Sequence, residues 1–124
     1  DGSPVLQLQD ENGRDRLALF AAANGFSGMA LKDANGASRV MVATTIDGSP
    51  NLDLRDAAGK TRISLRQGAN GAPCLKLNDE AQRMRAALGV AEIVDAATGK
   101  KSPTSVNSLT MFDESGKPIW GTPR

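Results

Sequence analysis

Residues 49–71, SPNLDLRDAAGKTRISLRQGANG, contain two short segments in which apolar and polar residues alternate. The first is NLDLR at residues 51–55, and the second is RISLR at residues 62–66. Alternation with a period of two residues is typical of a β-strand that has one buried face. Between the segments lies Asp56-Ala57-Ala58-Gly59, in which the aspartate can accept a backbone hydrogen bond and the glycine can adopt a left-handed conformation. This stretch therefore predicts a β-hairpin.

The same hairpin pattern recurs along the chain with a period of 23 residues. Each unit reads approximately P-x-L-x-L-x-D-x-x-G-x-x-R and continues with a second apolar pair. A fixed period of this length indicates an array in which each unit packs against its neighbours. We divide the 124 residues into one β-repeat domain with repeats 3–25, 26–48, 49–71 and 72–90, an insertion loop at 91–107 and a C-terminal cap repeat at 108–124.

The register of each hairpin can be predicted from the parity of its apolar pairs. Residues directly opposite in an antiparallel pair point to the same face, so Leu8 should face Leu17, and Leu6 should face Leu19. This register requires a four-residue loop, or a shorter loop with an additional β-bulge. The fourth repeat has Gln82 where the other turns have glycine, and we expect its turn to be the most strained.

The predicted fold is an all-β antiparallel β-meander of about five hairpin repeats whose large aliphatic residues all lie on one face. Soluble monomers rarely expose an apolar face of this extent. We therefore predict that the face is covered by homo-oligomerisation, as a trimer or a larger assembly. An up-and-down barrel and a β-solenoid are the alternatives. The predicted self-association face consists of Leu6, Leu8, Leu17, Leu19, Met29, Leu31, Val40, Val42, Leu52, Leu54, Ile63, Leu65, Leu75, Leu77 and Leu88.

A row of arginines recurs in phase with the repeat and with the opposite parity, at Arg16, Arg39, Arg62 and Arg85. A regular guanidinium row on the outer face is a candidate site for sulfate, phosphate or an anionic polysaccharide. The alternative interpretation is that these arginines form ion pairs across the hairpins and keep the surface soluble, with Asp53, Asp15 or Glu80 as partners. The insertion adds a small basic tip at Lys100 and Lys101.

Residues that commonly carry catalysis or hold metals are scarce. The chain has no histidine, so the commonest general base and metal ligand is missing. Cys74 is the one cysteine and is interpreted as a spectator thiol. Asp10 and Asn12 have the first spacing of a calcium loop, but the further oxygen ligands that such a loop needs do not follow. We predict no catalytic, cofactor-binding or metal-binding residues and no enzyme.

Charge and aromatic content also bear on partners. The formal net charge is +1, and the aromatic residues are three phenylalanines and one tryptophan. Nucleic-acid binding is therefore not expected, because it needs a clustered basic surface or stacking aromatics. No stretch reaches the length of about 18 apolar residues that a membrane helix requires. Trp120 is predicted to cap the open end of the β core.

The closing segment, LTMFDESGKPIWGTP at residues 109–123, together with the preceding repeats, resembles a group of uncharacterised bacterial envelope proteins. The resemblance extends over essentially the whole chain, and the motif F-D-x-x-G-K-x-I-W-x-x-P is its most specific part. It implies a secreted or membrane-anchored protein and carries over no activity. We expect a non-enzymatic structural module in the extracellular space or periplasm, anchored through a removed N-terminal segment. The alternative is a binding module for an anionic glycan, a lipid headgroup or a protein partner.

Overall fold

The structure of the chain is a computed structural model. It describes residues 3–67, 71–89, 92–94, 98–103 and 108–122. For residues 92–94 and 101–103 it describes the backbone alone. The described residues form strands and turns, without a helix. One sheet has ten strands, and each strand lies beside the next one along the chain, apart from two short strands in the insertion that are not part of it. The predicted antiparallel β-meander is therefore confirmed. The β-solenoid is excluded, because consecutive strands pair antiparallel. The up-and-down barrel is excluded as well, because the first and last strands of the sheet form two separate edges.

The chain divides into two compact units, Asp1–Thr61 and Arg62–Arg124. Successive strands of the first unit pair antiparallel, so that each strand shares a ladder with the next one along the chain. The strands of this unit are β1 (Val5–Gln9), β2 (Asp15–Ala21), β3 (Ser27–Lys32), β4 (Ser38–Thr44) and β5 (Pro50–Arg55).

The second unit continues the hairpin pattern, with β8 (Met84–Gly89) followed in the sheet by β11 (Leu109–Phe112). A separate two-stranded ribbon of β9 and β10 lies within the predicted insertion loop, with Ile93 opposite Ser102. The backbone N–H of Gly89 donates to the carbonyl oxygen of Ser108 at 2.8 Å and closes the base of the insertion. The strands are β6 (Thr61–Gln67), β7 (Pro73–Asn78), β8 (Met84–Gly89), β9 (Glu92–Val94), β10 (Lys101–Pro103), β11 (Leu109–Phe112) and β12 (Pro118–Thr122).

The hairpin turns combine a tight loop with a β-bulge. In the first hairpin, Leu8 lies opposite Leu17 and Gln9 lies opposite Asp15. Arg16, between them on the second strand, therefore has no residue opposite it on the first strand. The Asp10 N–H donates to the Arg14 carbonyl at 2.9 Å, and Gly13 has φ +74°. Of the two loops consistent with the predicted register, the bulged one is found.

The bulge keeps both apolar pairs of a hairpin on one face, because it adds one residue to the second strand. The same register shift occurs between Leu31 and Lys32, between Leu77 and Asn78 and between Met111 and Phe112. Among the described residues, Gln82 is the one non-glycine residue with a left-handed φ, at +65°. This conformation agrees with the expectation that the turn of the fourth repeat is the most strained, and the energetic cost stays a prediction.

Burial is greatest on the face opposite the large aliphatics, which the sequence interpretation assigned to polar residues. In the first unit, Ala18, Ala30 and Ala43 are the buried apolar residues. In the second unit, Cys74, Ala87 and Phe112 form a small buried cluster against which Met84 packs. Small side chains in the middle of a strand are shielded by the longer side chains around them. They are therefore inaccessible to solvent even on a sheet face that no other element covers.

Candidate functional site

Two parallel rows of apolar side chains cross the strands of the first unit. Each row takes one residue from every strand, and the residues of a row are direct cross-strand neighbours. We call them the first and second apolar rows. In this unit, the first row is Leu6, Leu19, Met29, Val42 and Leu52, and the second is Leu8, Leu17, Leu31, Val40 and Leu54.

The second unit has the same two rows. Its C-terminal hairpin contributes three residues that the sequence interpretation did not include in the self-association face, namely Leu109, Met111 and Trp120. The sequence signal for these places is that the repeat pattern resumes after the insertion, with Leu109 and Met111 at the positions of the first apolar pair. Here the first row is Leu65, Leu75, Leu88 and Leu109, and the second is Ile63, Leu77, Ala86, Met111 and Trp120.

Many members of the apolar rows are open to solvent, whereas others, such as Leu17, Val40 and Leu52, are partly buried. In the first unit, Leu6 is 58% exposed and Val42 is 42% exposed. In the second unit, Leu88 is 50% exposed. The members of both rows are aliphatic residues, methionines and one tryptophan, and none carries a charge. An apolar surface with this regularity is the feature of the chain most in need of a partner.

Trp120 lies at the end of the second apolar row. It is opposite Met111 on the last strand, and it is 47% exposed. Its ring therefore extends the apolar rows instead of being enclosed by them. That Trp120 caps a core stays a prediction.

Arg16, Arg39 and Arg85 occupy the β-bulge of their hairpins. Three of the repeated arginines also bond to a neighbouring hairpin. Arg39 Nε donates to the Arg55 carbonyl at 2.8 Å, 16 residues further along the chain. The equivalent bond from Arg16 reaches the Lys32 carbonyl at 3.2 Å, and that from Arg62 reaches the Asn78 carbonyl at 2.9 Å. Because the accepting carbonyl belongs to the last residue of a later strand, each guanidinium fixes the distance between two successive repeats.

The second contact of these arginines is an ion pair with the turn aspartate six residues earlier. The distance is 3.2 Å from Arg39 to Asp33, 3.4 Å from Arg16 to Asp10 and 3.6 Å from Arg85 to Asp79. The ion-pair interpretation named Asp15 and Asp53, whereas Asp15 pairs with Lys32 at 3.6 Å and Asp53 with Arg55 at 4.0 Å.

The guanidinium groups of the arginine row are thus engaged with the protein itself. Anion binding by this row stays a prediction. In the cap repeat, Ile119 stands at the bulge position that an arginine holds in the four preceding repeats, so the row does not continue there.

Each turn aspartate acts as a cap for its loop. The Asp10 carboxylate accepts from the Asn12 N–H at 2.9 Å and from the Arg14 N–H at 3.1 Å. The hydrogen bond from the Arg14 N–H is the largest influence on the pKa of Asp10 and lowers it. Partial burial acts to raise this pKa, but the net pKa is below its usual value. The pKa values of Asp79 and Asp113 are lowered as well, with the largest influences from the Arg83 N–H and the Ser115 hydroxyl.

Asp33 shows how these influences balance. Partial burial is the largest single influence and acts to raise its pKa. The N–H groups of Asn35 and Ala37, together with the Arg39 guanidinium, outweigh it, so the net pKa is lowered. The turn carboxylates therefore stay ionised, which is the form that accepts these hydrogen bonds.

On the face opposite the apolar rows, β5 carries polar side chains at three alternate positions, Asn51, Asp53 and Arg55. Asp53 is buried, with 7% of its surface exposed, and it lies opposite Met41. The sequence interpretation named Asp53 only as an arginine partner and did not foresee its burial. The only signal was its position between two leucines, where other repeats have alanine, lysine or glutamine.

Cys74 is buried on β7 and belongs to the cluster with Ala87 and Phe112. Burial raises the pKa of its thiol, opposed in part by the charges of Lys76 and Arg66. A neutral, buried thiol has low reactivity. In the described part of the chain, no group of three or more histidine, cysteine, aspartate or glutamate residues is close enough to hold a metal ion. Nor do the described residues include a helix of the length and apolarity needed to cross a membrane.

Comparison with known proteins does not supply a function. No family model matches the chain, and no curated protein matches it significantly. The functional argument therefore depends on the two apolar rows and on the arginine and aspartate network.

Proposed function

We propose that the chain is a non-enzymatic structural module that self-associates through its two apolar rows. The observation that carries this proposal is the exposure of regularly spaced leucine, valine and methionine side chains on one face of the strands. Full burial of one such side chain contributes roughly 1.5–3 kcal/mol. Rows with several half-exposed members per unit therefore provide a strong driving force for association.

The partner that we propose for this face is a second copy of the same chain. Two apolar rows with a constant strand spacing are matched by an identical pair of rows on another copy, so equivalent side chains can interdigitate at the same period. The rows contain no charged residue, so two copies can approach without placing like charges opposite each other. A trimer, or a larger assembly, is the proposed state.

We further propose that the module belongs to the bacterial envelope or the cell exterior. Support comes from the resemblance of the repeats and of the closing motif to envelope proteins. The absence of histidine from the whole sequence supports a role without acid–base catalysis. A structural role needs only the repeated hairpin and its apolar face.

The experiment that tests self-association is light scattering coupled to size exclusion at two protein concentrations. The unmodified chain should have a mass several times the 12.9 kDa of one copy. The variant Val42→Lys places a charge in the first apolar row and should have a smaller mass than the unmodified chain, because the charge would have to be desolvated at the interface.

The matched control is Ile46→Lys. Ile46 is 71% exposed but lies in a turn, outside the apolar rows. This control introduces the same charge at a similar aliphatic residue and should keep the mass of the unmodified chain. A single-copy mass for the unmodified chain at both concentrations would contradict the proposed function.

A further inference from the structure

The two strands at the ends of the sheet have features of pairing edges. Within the described ranges, β1 pairs with β2 and β12 pairs with β11. Neither terminal strand carries a charged residue, since β1 reads VLQLQ and β12 reads PIWGT. Between them, every strand of the sheet except β11 contains an aspartate, lysine or arginine. Proteins that avoid edge pairing usually place charges, above all lysine, on terminal strands.

The first strand directs unused backbone groups outward. The Ala21 N–H donates to the Pro4 carbonyl at 3.2 Å across the first hairpin. In an antiparallel ladder, alternate residues bond to the same neighbour, so Leu6 also faces β2, whereas Val5 and Gln7 direct their N–H and C=O groups away from it. All five residues of β1 are exposed.

The repeat itself specifies how another strand would fit against this edge. Across each junction from one repeat to the next, a residue of an apolar row lies opposite a residue of the same row, as in Leu17 opposite Leu31 and Leu19 opposite Met29. The junctions between β4 and β5 and between β6 and β7 have the same arrangement.

The last strand is equivalent in register to the second strand of a repeat. Trp120 lies opposite Met111 as Leu17 lies opposite Leu8, and Thr122 lies opposite Leu109 as Leu19 lies opposite Leu6. By this equivalence, Gly121 corresponds to Ala18, which faces Ala30 in the next repeat. The outer edge of β12 therefore has the register needed to receive the first strand of one more repeat.

We infer that β12 of one copy pairs antiparallel with β1 of another, so that copies join head to tail and the sheet continues across the junction. Gly121 of one copy would then lie opposite Gln7 of the next, Trp120 opposite Leu8, and Thr122 opposite Leu6. The junction prolongs both apolar rows. Because the two edges are different surfaces, the junction is heterologous, and each added copy presents a free edge until the copies close into a ring. This inference rests on the proposed self-association and identifies one of its interfaces.

The test uses cysteine pairs in the full chain, with Cys74→Ala as background. Leu6 and Thr122 would form a pair without direct backbone hydrogen bonds, in which the Cα atoms are about 4.5 Å apart and can be bridged by a disulfide. An equal mixture of the variants Leu6→Cys and Thr122→Cys should yield a mixed disulfide dimer on mild oxidation. The double variant should yield a ladder of covalent oligomers. A matched mixture of Val5→Cys and Thr122→Cys should yield no disulfide, because Val5 points to the opposite face.

A second variant removes the outward hydrogen bond. Gln7→Pro lacks the N–H that would pair with Gly121, and proline is tolerated on a strand edge. It should lose the covalent ladder when combined with the double cysteine variant, whereas Gln7→Ala, which keeps the N–H, should retain it. Absence of the mixed dimer, or disulfide formation by Leu6→Cys with itself to the same extent, would overturn the inference.

Failure of this inference can be distinguished from failure of the proposed function. If the unmodified chain assembles by light scattering and Val42→Lys reduces the mass, but no mixed disulfide forms, the head-to-tail junction is wrong and the apolar interface stands. If the unmodified chain has the mass of one copy, both proposals fail.

Discussion

At the scale of single residues, the turn position occupied by glycine in most repeats is the clearest conformational constraint. Gly13, Gly36, Gly59 and Gly116 all have φ between 74° and 83°, a region that other residues enter only at a cost. A left-handed conformation costs a non-glycine residue about 1–3 kcal/mol. Gln82 adopts φ +65° in the equivalent position, so the fourth repeat retains this strain in the folded state.

Replacing Gln82 by glycine should stabilise the chain. We expect the free energy of unfolding to rise by about 1 kcal/mol, since relief of the left-handed conformation exceeds the added flexibility of the unfolded chain. The measurement is chemical denaturation at matched protein concentration. The reciprocal change Gly59→Gln is the control, because a Cβ at Gly59 meets no atom within 4 Å, and it should lower stability by a similar amount. An unchanged or lower stability for Gln82→Gly would show that the turn is not strained.

At the scale of the hairpin, the loop, the bulge and the arginine act together. The bulge leaves one residue of the second strand without a cross-strand partner, and in the first, second and fourth repeats this residue is an arginine. The guanidinium groups of Arg16, Arg39 and Arg85 contact the aspartate of their own turn. Those of Arg16, Arg39 and Arg62 contact a carbonyl of the following repeat. The periodic aspartate and arginine are therefore explained by local structure.

Acid should weaken the hairpin turns. The pKa values of Asp10, Asp33, Asp47, Asp79 and Asp113 in the folded chain lie below the ordinary value of 3.8. A carboxyl group with a lowered pKa contributes stability that is present above pH 3.8 and is lost as the pH falls through the folded-state value, because the unfolded chain binds the proton first. The melting temperature should therefore decrease as the pH falls below about 4.

The variant Asp33→Asn checks the cause of this pH dependence. Asparagine keeps an oxygen that can accept the two turn hydrogen bonds, but it does not titrate. Its melting temperature should depend less steeply on pH than that of the unmodified chain. The control Glu11→Gln also removes one carboxylate from a turn, at a position that is not a turn cap, and should change the slope less. Equal slopes for Asp33→Asn and the unmodified chain would contradict the proposed role of the cap.

At the scale of the whole molecule, the distribution of apolar residues separates stability within one copy from association between copies. The buried apolar residues are small, with the exception of Phe112, whereas the large aliphatics lie in the exposed rows. Assembly through these rows would bury the surface that dominates the hydrophobic contribution. Folding and assembly are therefore expected to be linked, with apparent stability rising with protein concentration.

Cooling should weaken the assembly. Stabilisation by apolar burial decreases at low temperature because its driving force near room temperature is entropic. The mass measured by light scattering at about 5 °C should therefore be smaller than that at about 35 °C, at one concentration. The variant Val42→Lys should show a smaller change of mass between the two temperatures. A larger mass in the cold would indicate that polar contacts, not the apolar rows, hold the copies together.

Several features could be predicted before the structure was known because they depend on neighbours in the chain. The hairpins follow from the alternation and from the aspartate and glycine turns, and the register follows from the parity of Leu6, Leu8, Leu17 and Leu19. The sequence predicts a loop where the ribbon of β9 and β10 lies, because strands of three residues are too short for a recognisable alternation.

By itself, the sequence determined the 23-residue repeat, the antiparallel hairpins and the one-sided placement of the large aliphatics, because these depend on local backbone geometry and on a period of two. Only the tertiary structure decided which residues lose solvent and which contacts the arginines make. Burial of Ala18, Ala30 and Asp53 depends on side chains from adjacent strands. The contacts of Arg16, Arg39 and Arg62 with carbonyls 16 residues away depend on the spacing between successive hairpins. That spacing exists only once the sheet has formed.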